Sequence, residues 1–267
     1  ILAEGFGIED DDDYNLKMIK KINSNLDQKT LVFVDDAHNL FLSDVDGLTA
    51  FRTFLDILNL ESDKLFWIAT FNIYAFSYLK GVVGNTQHFR TEITLGKWSP
   101  ESIQKLIQLR HNLSNYEISY DKIAQYSLIN ETDDIEVKME QQFHGILWEQ
   151  SGGNPKIAMR LWLASLSQSR FKTLQVSLPE KISNEQLSDL DDNAWFVLAA
   201  IARHRCLSKK ETAQVCNFSI PLVSHALKLS LDNNILSQTD TKRYQLNFLY
   251  QAEIVKQLKM KNFIYES

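Results

Sequence analysis

Apolar residues in the first hundred positions follow two patterns, continuous runs and helical spacing. The runs within 31–34 and 64–72 are typical of strands that are buried on both faces, as in a parallel sheet. Residues 14–26 and 44–60 instead repeat apolar side chains every three or four positions, which predicts amphipathic helices. Residues 91–96 predict a third strand. Strands separated by helices with short connections indicate a parallel α/β sheet.

The strand pattern stops at Ser99, and helical patterns follow it. Ser99 suits a helix cap, Pro100 the first helical position and Glu101 the first turn. Three further helical stretches are predicted, the last of them over residues 154–167. Residues 171–187 are irregular and contain a proline, which predicts a boundary between two parts of the chain.

The remaining residues predict three helices and a β-hairpin. Residues 208–236 have the spacing of a helix-turn-helix, and residues 236–247 predict two short strands around a polar tip. This combination predicts a winged-helix domain. The fold class expected from the sequence is therefore α/β, with a partial parallel sheet followed by a helical region and a winged helix.

Composition limits the protein classes that fit the chain. The 267 residues suffice for one large domain or two ordinary ones, and the apolar share of 44% with 23% charged residues is typical of a globular protein. A net charge of −6 gives no reason to expect bulk affinity for nucleic acid or an anionic membrane. Two cysteines without paired metal ligands, Cys206 and Cys216, favour a reduced, cytoplasmic setting.

Several other kinds of site and segment are not indicated. The six histidines lack the spacing of a zinc site, and no G-x-S-x-G motif marks a serine nucleophile. We expect His38 to be structural. No apolar run approaches the roughly 18 residues that span a bilayer. The chain opens on Ile1 rather than methionine, which predicts a fragment of a longer protein.

Two adjacent carboxylates, Asp35 and Asp36, follow the first predicted strand. The carboxyl ends of parallel strands form the edge at which open α/β sheets bind ligands. A first aspartate at that edge can hold Mg²⁺, usually through water, while the second residue polarises an attacking water. The alternative is a strand end that simply reaches solvent, since the motif is short.

Two further segments resemble motifs of the AAA+ ATPases, in which the carboxylate pair is the Walker B element. The segment "LFWIATFN" resembles the sensor 1 strand, which implies that Asn72, or alternatively Thr70, faces the γ-phosphate. The segment "HFRTEITLG" resembles the region of the arginine finger, which implies that role for Arg90. An ordinary surface arginine is the alternative there.

A third segment, "SGGNPKIAMRLW", resembles the GxP or sensor 2 element of the STAND and replication-initiator branches of AAA+. Its two glycines allow a tight turn, Asn154 caps a helix, Pro155 begins it, and Lys156 stands where the sensor 2 basic residue is usual. The resemblance implies that these three residues bind nucleotide. A well-capped helix with a surface lysine is the alternative.

The order of these motifs resembles an AAA+/STAND-type P-loop ATPase that lacks its Walker A loop, because no G-x-x-x-x-G-K-[ST] occurs in the sequence. The resemblance implies ATP and Mg²⁺ as cofactors, with Asp35 as the magnesium residue and Asp36 as the catalytic base. Asp36 is shorter than the usual glutamate, so efficient hydrolysis is in question. The implied domains are a partial core over 1–97, a helical lid over 98–170, a linker over 171–183 and a winged helix over 184–267.

The function implied is an ATP-dependent switch or oligomerising regulator, with little ATP binding by these 267 residues alone. The alternative is a non-hydrolysing regulatory or scaffold protein. Residues 185–267 hold ten Lys or Arg against nine Asp or Glu, and the recognition helix predicted over 219–231 has one basic residue, Lys228. Such a charge favours a protein partner or self-association over DNA. The residues that could contact DNA phosphates are Lys209, Lys210, Lys242 and Arg243. The apolar residues that could pack on a protein partner are Ile220, Leu222, Val223, Leu227 and Leu231.

Overall fold

The computed structural model describes residues 24–59, 64–84, 88–124, 135–168, 171–180, 186–187 and 190–265. Within these ranges the protein is a mixed α/β chain with ten α-helices and three small sheets. All but the last residues of the helix predicted over 14–26 lie outside the described ranges. None of the helices in the described part is long and apolar enough to cross a membrane.

The N-terminal unit is built on two parallel strands. Its elements are β1 (Thr30–Val34), a 3₁₀ turn (Ala37–Leu40), α1 (Thr49–Leu58), β2 (Leu65–Ala69) and α2 (Ile73–Val83). The strands run in register from Thr30 opposite Leu65 to Val34 opposite Ala69. The predicted strands and the helix between them are present, although α1 begins five residues later than residue 44. A loop closed by the hydrogen bond from the Leu42 N–H to the Gly47 carbonyl occupies those residues.

The first strand is buried on one face only, which corrects the prediction of burial on both. Val32 is buried, whereas Leu31 and Phe33 are 55% and 62% exposed. Successive side chains of a strand point to opposite faces, and α1 packs against one of them, where Phe54 meets Trp67 edge-to-face at 6.4 Å. The apolar run therefore predicted the strand correctly, but it did not predict that one face of the strand is exposed.

The third predicted strand, at 91–96, is not formed. These residues join no sheet of the described chain and are exposed, with Ile93 and Leu95 at 84% and 91%. Alternating β-branched residues favour an extended backbone, but a strand also needs a neighbour for its backbone hydrogen bonds. The parallel sheet therefore has two strands within the described residues.

The middle unit combines helices with a three-stranded sheet. Its elements are α3 (Pro100–His111), β3 (Glu117–Ser119), α4 (Asp121–Ala124), α5 (Ile135–Ser151), α6 (Pro155–Ala164), β4 (Leu166–Gln168) and β5 (Thr173–Val176). The start of α3 is as predicted, because the Ser99 hydroxyl oxygen accepts the Ser102 N–H at 3.2 Å. The sequence predicted no strands between Ser99 and the C-terminal hairpin, and this was wrong, since β5 pairs with β3 in parallel and with β4 antiparallel. The central strand β5 lies in the segment predicted as linker.

The C-terminal unit combines four helices with a small antiparallel sheet. Its elements are α7 (Asp192–His204), β6 (Cys206–Leu207), α8 (Lys209–Cys216), α9 (Ile220–Asp232), β7 (Leu236–Gln238), β8 (Tyr244–Leu246) and α10 (Gln251–Met260). The strand order is β6-β8-β7. The three predicted helices are present as α7, α8 and α9, and the predicted hairpin is β7–β8, whereas α10 and β6 are additional. The apolar core of this unit includes Trp195, Leu198, Ile201, Val223 and Leu227.

Candidate functional site

The candidate site lies where β1 and β2 end side by side. The Thr70 N–H donates to the Val34 carbonyl at 3.0 Å, and the Ala37 N–H donates to the Thr70 carbonyl at 2.8 Å. The two backbone segments therefore stay hydrogen-bonded beyond the ends of the strands. The Thr70 hydroxyl donates to Asp35 Oδ1 at 2.6 Å and accepts the Asp36 N–H at 2.8 Å. The structure thus joins Asp35, Asp36 and Thr70 at the carboxyl edge of a parallel strand pair.

Asp36, the predicted catalytic base, is held by a residue that the sequence analysis missed. Its backbone is left-handed, with φ 51° and ψ 44°. Its Oδ2 lies 2.6 Å from Nη1 of Arg205, which follows α7 in the C-terminal unit. The two residues are 169 positions apart, so no local pattern in the sequence relates them.

His38 is structural, as the sequence analysis expected. Its side chain is buried, and its Nδ1 accepts the Asn72 N–H at 3.2 Å. Burial lowers the pKa of His38, against the opposing effect of the Asp36 carboxylate 3.8 Å away. The imidazole therefore acts as a neutral acceptor that ties the 3₁₀ turn to the start of α2.

Asn72, predicted as a catalytic sensor residue, has both ends of its amide engaged. Its Oδ1 caps α2 by accepting the Tyr74 N–H at 2.8 Å. Its Nδ2 donates to the Ala202 carbonyl at 3.2 Å, near the end of α7. Of the two alternatives named for the end of this strand, Thr70 is the residue that contacts Asp35. A sensor role for Asn72 stays a prediction.

The turn before α6 has the predicted geometry. Asn154 caps the helix by accepting the N–H groups of Lys156 and Ile157 at 2.9 and 3.2 Å, and Pro155 is the first helical residue. Gly152 and Gly153 have φ of 60° and 73°, a backbone that other residues rarely adopt. The local conformation agrees with the prediction, while nucleotide binding by these residues remains untested.

Four of the predicted site residues lie near one another, and the others, in the described part of the chain, have no bond to them. Asp35, Asp36, Thr70 and Asn72 lie together at the ends of β1 and β2. Among the described residues, no hydrogen bond or ion pair joins Arg90 or the turn at 154–156 to these four. Arg90 and Lys156 are both exposed.

The last turn of α7 packs on the N-terminal unit beside this site. His204 is buried, and its Nε2 lies 2.8 Å from the Ser43 hydroxyl and 3.3 Å from the Ser43 N–H. Burial lowers the pKa of His204 to about 3, with further lowering from Arg203 and His38. Arg203 lies over the Tyr78 ring at 4.4 Å. A packed interface with a neutral His204 therefore connects the C-terminal unit to the N-terminal unit beside the carboxylate pair.

The donor chemistry of the site fits a magnesium ion that is held mainly by water and phosphate. Asp35 is exposed, and Oδ1 of its carboxylate accepts the Thr70 hydroxyl. The described residues contain no group of three or more His, Cys, Asp or Glu side chains that could enclose a metal ion. Mg²⁺ needs no such cage, because it keeps several waters and binds through one or two carboxylates together with a phosphate.

No family model matches the chain, and no curated protein is significantly similar to it. Three solved structures, all of mutant forms of RuvB from Thermotoga maritima, are similar to 92% of the chain at 14%, 15% and 16% identity. The similarity covers 75%, 74% and 75% of those chains, with TM-scores of 0.36, 0.37 and 0.32. Such a distant likeness does not decide the family.

Proposed function

We propose that this chain belongs to a nucleotide-binding ATPase of the AAA+/STAND type and acts as an ATP-dependent switch or oligomerising regulator. The observation that carries the proposal is the joining of Asp35 and Thr70 at the carboxyl edge of two parallel strands. That edge is where open α/β sheets bind ligands, and a carboxylate with a neighbouring hydroxyl suits a hydrated magnesium ion.

The roles of the residues follow from their positions. Asp35 would hold Mg²⁺, and Thr70 orients its carboxylate through the 2.6 Å hydrogen bond. Asp36 would serve as the base once it is free of Arg205. A bound Mg·ATP would supply the phosphoryl group and the charge that neutralises it. Arg90, Asn154, Pro155 and Lys156 are proposed to contact the nucleotide, as the resemblance implies.

The C-terminal unit is proposed to be a winged helix. The sequence of α7, β6, α8, α9 and the β7–β8 hairpin supports this, since it gives three helices and a three-stranded antiparallel sheet. A protein partner is preferred to DNA, because Arg243 at the hairpin is tied to Glu211 at 2.9 Å and to the Cys206 carbonyl at 3.2 Å. An arginine engaged in this way is a poor phosphate contact.

The apolar set on α9 supports a partner less than the sequence suggested. Val223 and Leu227 are buried in the core of their own unit, whereas Ile220 is exposed. The preference for a protein partner therefore rests on the low positive charge of the unit and on the engagement of Arg243 with Glu211. Exposed Lys209, Lys210 and Lys242 are the residues that a DNA-binding test should replace.

A second candidate function is a regulatory protein that binds nucleotide without hydrolysing it. The ion pair between Asp36 and Arg205 favours this candidate, because it occupies the carboxylate that hydrolysis would need. Turnover separates the two candidates. If Asp36→Ala leaves a measurable rate of ATP hydrolysis unchanged, Asp36 is not the base.

The proposal is tested by calorimetric titration with Mg·ATP. We expect weak or no binding by the 267 residues, and micromolar binding by a longer form of the protein that includes a G-x-x-x-x-G-K-[ST] loop. In that form, Asp35→Asn should remove the dependence of binding on Mg²⁺, while Asp56→Asn on the exposed face of α1 should not. Tight binding by the 267 residues would contradict the need for the loop, and no binding by the longer form would refute the function.

A further inference from the structure

Arg205 connects the C-terminal unit directly to the carboxylate pair. It is the first residue after α7, and its guanidinium reaches across to Asp36 with Nη1 and Oδ2 2.6 Å apart. The side chain is about half exposed, at 54%. The contact therefore lies at the mouth of the candidate site, where a ligand can reach it.

Both partners of this ion pair have a positive φ. Arg205 has φ 65° and ψ −46°, and Asp36 has φ 51° and ψ 44°. Aspartate tolerates the left-handed region, but for a long side chain such as arginine a positive φ is a true outlier. Such conformations persist where the surrounding structure enforces them, and they cluster at functional sites.

The surrounding structure does enforce this one, through contacts that do not involve Arg205. The Asn72 side chain donates to the Ala202 carbonyl at 3.2 Å, and Ser43 meets the buried His204 ring at 2.8 Å. These contacts fix the last turn of α7 on the N-terminal unit. They leave Arg205 at the end of the turn, with Asp36 within its reach.

Stability does not account for the bridge. Half-exposed ion pairs add little to the stability of a protein, and here the pair comes with an unfavourable arginine backbone. The docking of α7 is already supplied by Asn72 and His204. A role in binding explains why an arginine stands at this position and points at a carboxylate beside the magnesium residue.

The chemistry of the Arg205 guanidinium indicates the class of ligand that it could bind. Arginine has five N–H donors and binds carboxylate and phosphate in the same planar, paired geometry. A phosphate held near Asp35 and Thr70 would lie next to Asp36 and compete with it for the same donors.

We propose that Arg205 is a phosphate-binding residue that the C-terminal unit supplies to the nucleotide site, and that Asp36 occupies it until the terminal phosphate of a nucleoside triphosphate takes its place. This inference rests on the proposed function. It adds that the two members of the ion pair act in opposite directions on nucleotide affinity, Arg205 promoting binding and Asp36 opposing it.

The test measures, by calorimetry, the Mg·ATP affinity of the longer form that includes the G-x-x-x-x-G-K-[ST] loop and of four single variants of it. Arg205→Ala should weaken binding by about tenfold, the value of one charged hydrogen bond to phosphate, and Arg205→Lys should restore part of it. Asp36→Asn should tighten binding by about three- to tenfold, because it frees the arginine. Arg52→Ala, on the exposed face of α1, is the matched control and should leave affinity unchanged.

The double variant decides why Asp36→Asn tightens binding. In the Arg205→Ala background the gain from Asp36→Asn should vanish, because no arginine is left to release. A gain that persists there would mean that removing a negative charge is sufficient, and it would overturn the proposal. Weaker binding in both single variants would also overturn it, while leaving nucleotide binding itself established. If no protein in the series binds Mg·ATP, the proposed function fails and this inference fails with it.

Discussion

The interface histidine makes stability depend on pH in a way that can be calculated. His204 is buried against Phe41, with ring centroids 4.7 Å apart, and its Nε2 faces the hydroxyl and N–H of Ser43. A backbone N–H can only donate, so Nε2 must present its lone pair and the ring is neutral. Burial, Arg203 and His38 together lower the pKa of His204 to about 3. Lowering the pH should therefore destabilise the fold.

The size of the loss follows from the two pKa values. In the unfolded chain a histidine titrates near 6.5. Because the folded-state pKa of His204 lies below that value, the unfolded chain takes up the proton first as the pH falls. The stability is fully present above about pH 6.5 and is lost progressively down to about pH 3. At pH 5.0, between the two values, the free energy of unfolding should be about 2 kcal/mol lower than at pH 7.5 from this residue alone.

The assay is urea unfolding at pH 7.5 and pH 5.0 for wild type and His204→Gln. Glutamine keeps an acceptor for Ser43 but does not titrate, so the variant should lose about 2 kcal/mol less than wild type between the two pH values. Burial also lowers the pKa of His38 and His144, but both remain in the variant and cancel in the comparison. Phe54→Leu, a core change without a titratable group, should keep the wild-type difference. Equal losses in wild type and His204→Gln would refute the account.

Two further predictions concern the middle and C-terminal units. Gly153→Ala should lower the free energy of unfolding by about 1–3 kcal/mol, because φ is 73° and a Cβ would lie 3.0 Å from the Trp98 carbonyl oxygen. Gly145 lies in α5 with open space around it, so Gly145→Ala should raise the free energy of unfolding by about 0.5–1 kcal/mol. Thermal unfolding of both variants checks the pair, and equal effects would contradict the steric argument. Arg243→Ala should lower the free energy of unfolding by about 1–2 kcal/mol, since it removes hydrogen bonds from the hairpin to Glu211 and to the Cys206 carbonyl. Lys242→Ala should lower it very little. A larger loss for Lys242→Ala in chemical denaturation would show that Arg243 is not structural.

Features set by neighbouring residues could be predicted from the sequence. The run at 31–34 favours a strand through its β-branched and aromatic side chains, and Ser99 with Pro100 starts a helix wherever it stands. The turn at 152–155 was predictable for the same reason, since glycine alone takes its backbone without strain. The carboxylate pair at the end of β1 is likewise a local feature, and its placement at the strand edge follows from the strand.

Features that depend on distant partners could not be predicted in this way. The segment at 91–96 has a strand pattern but no strand beside it, whereas β5 has a weak pattern and two neighbours that hold it in a sheet. The binding of Asp36 by Arg205 depends on how α7 docks, and docking is a sum of packing and hydrogen bonds between residues far apart in the chain. Turns, caps and single strands are stabilised by interactions between residues that are close in sequence, so the sequence predicts them. Ion pairs and sheet edges between units form only in the tertiary structure, because their partners are far apart in the chain.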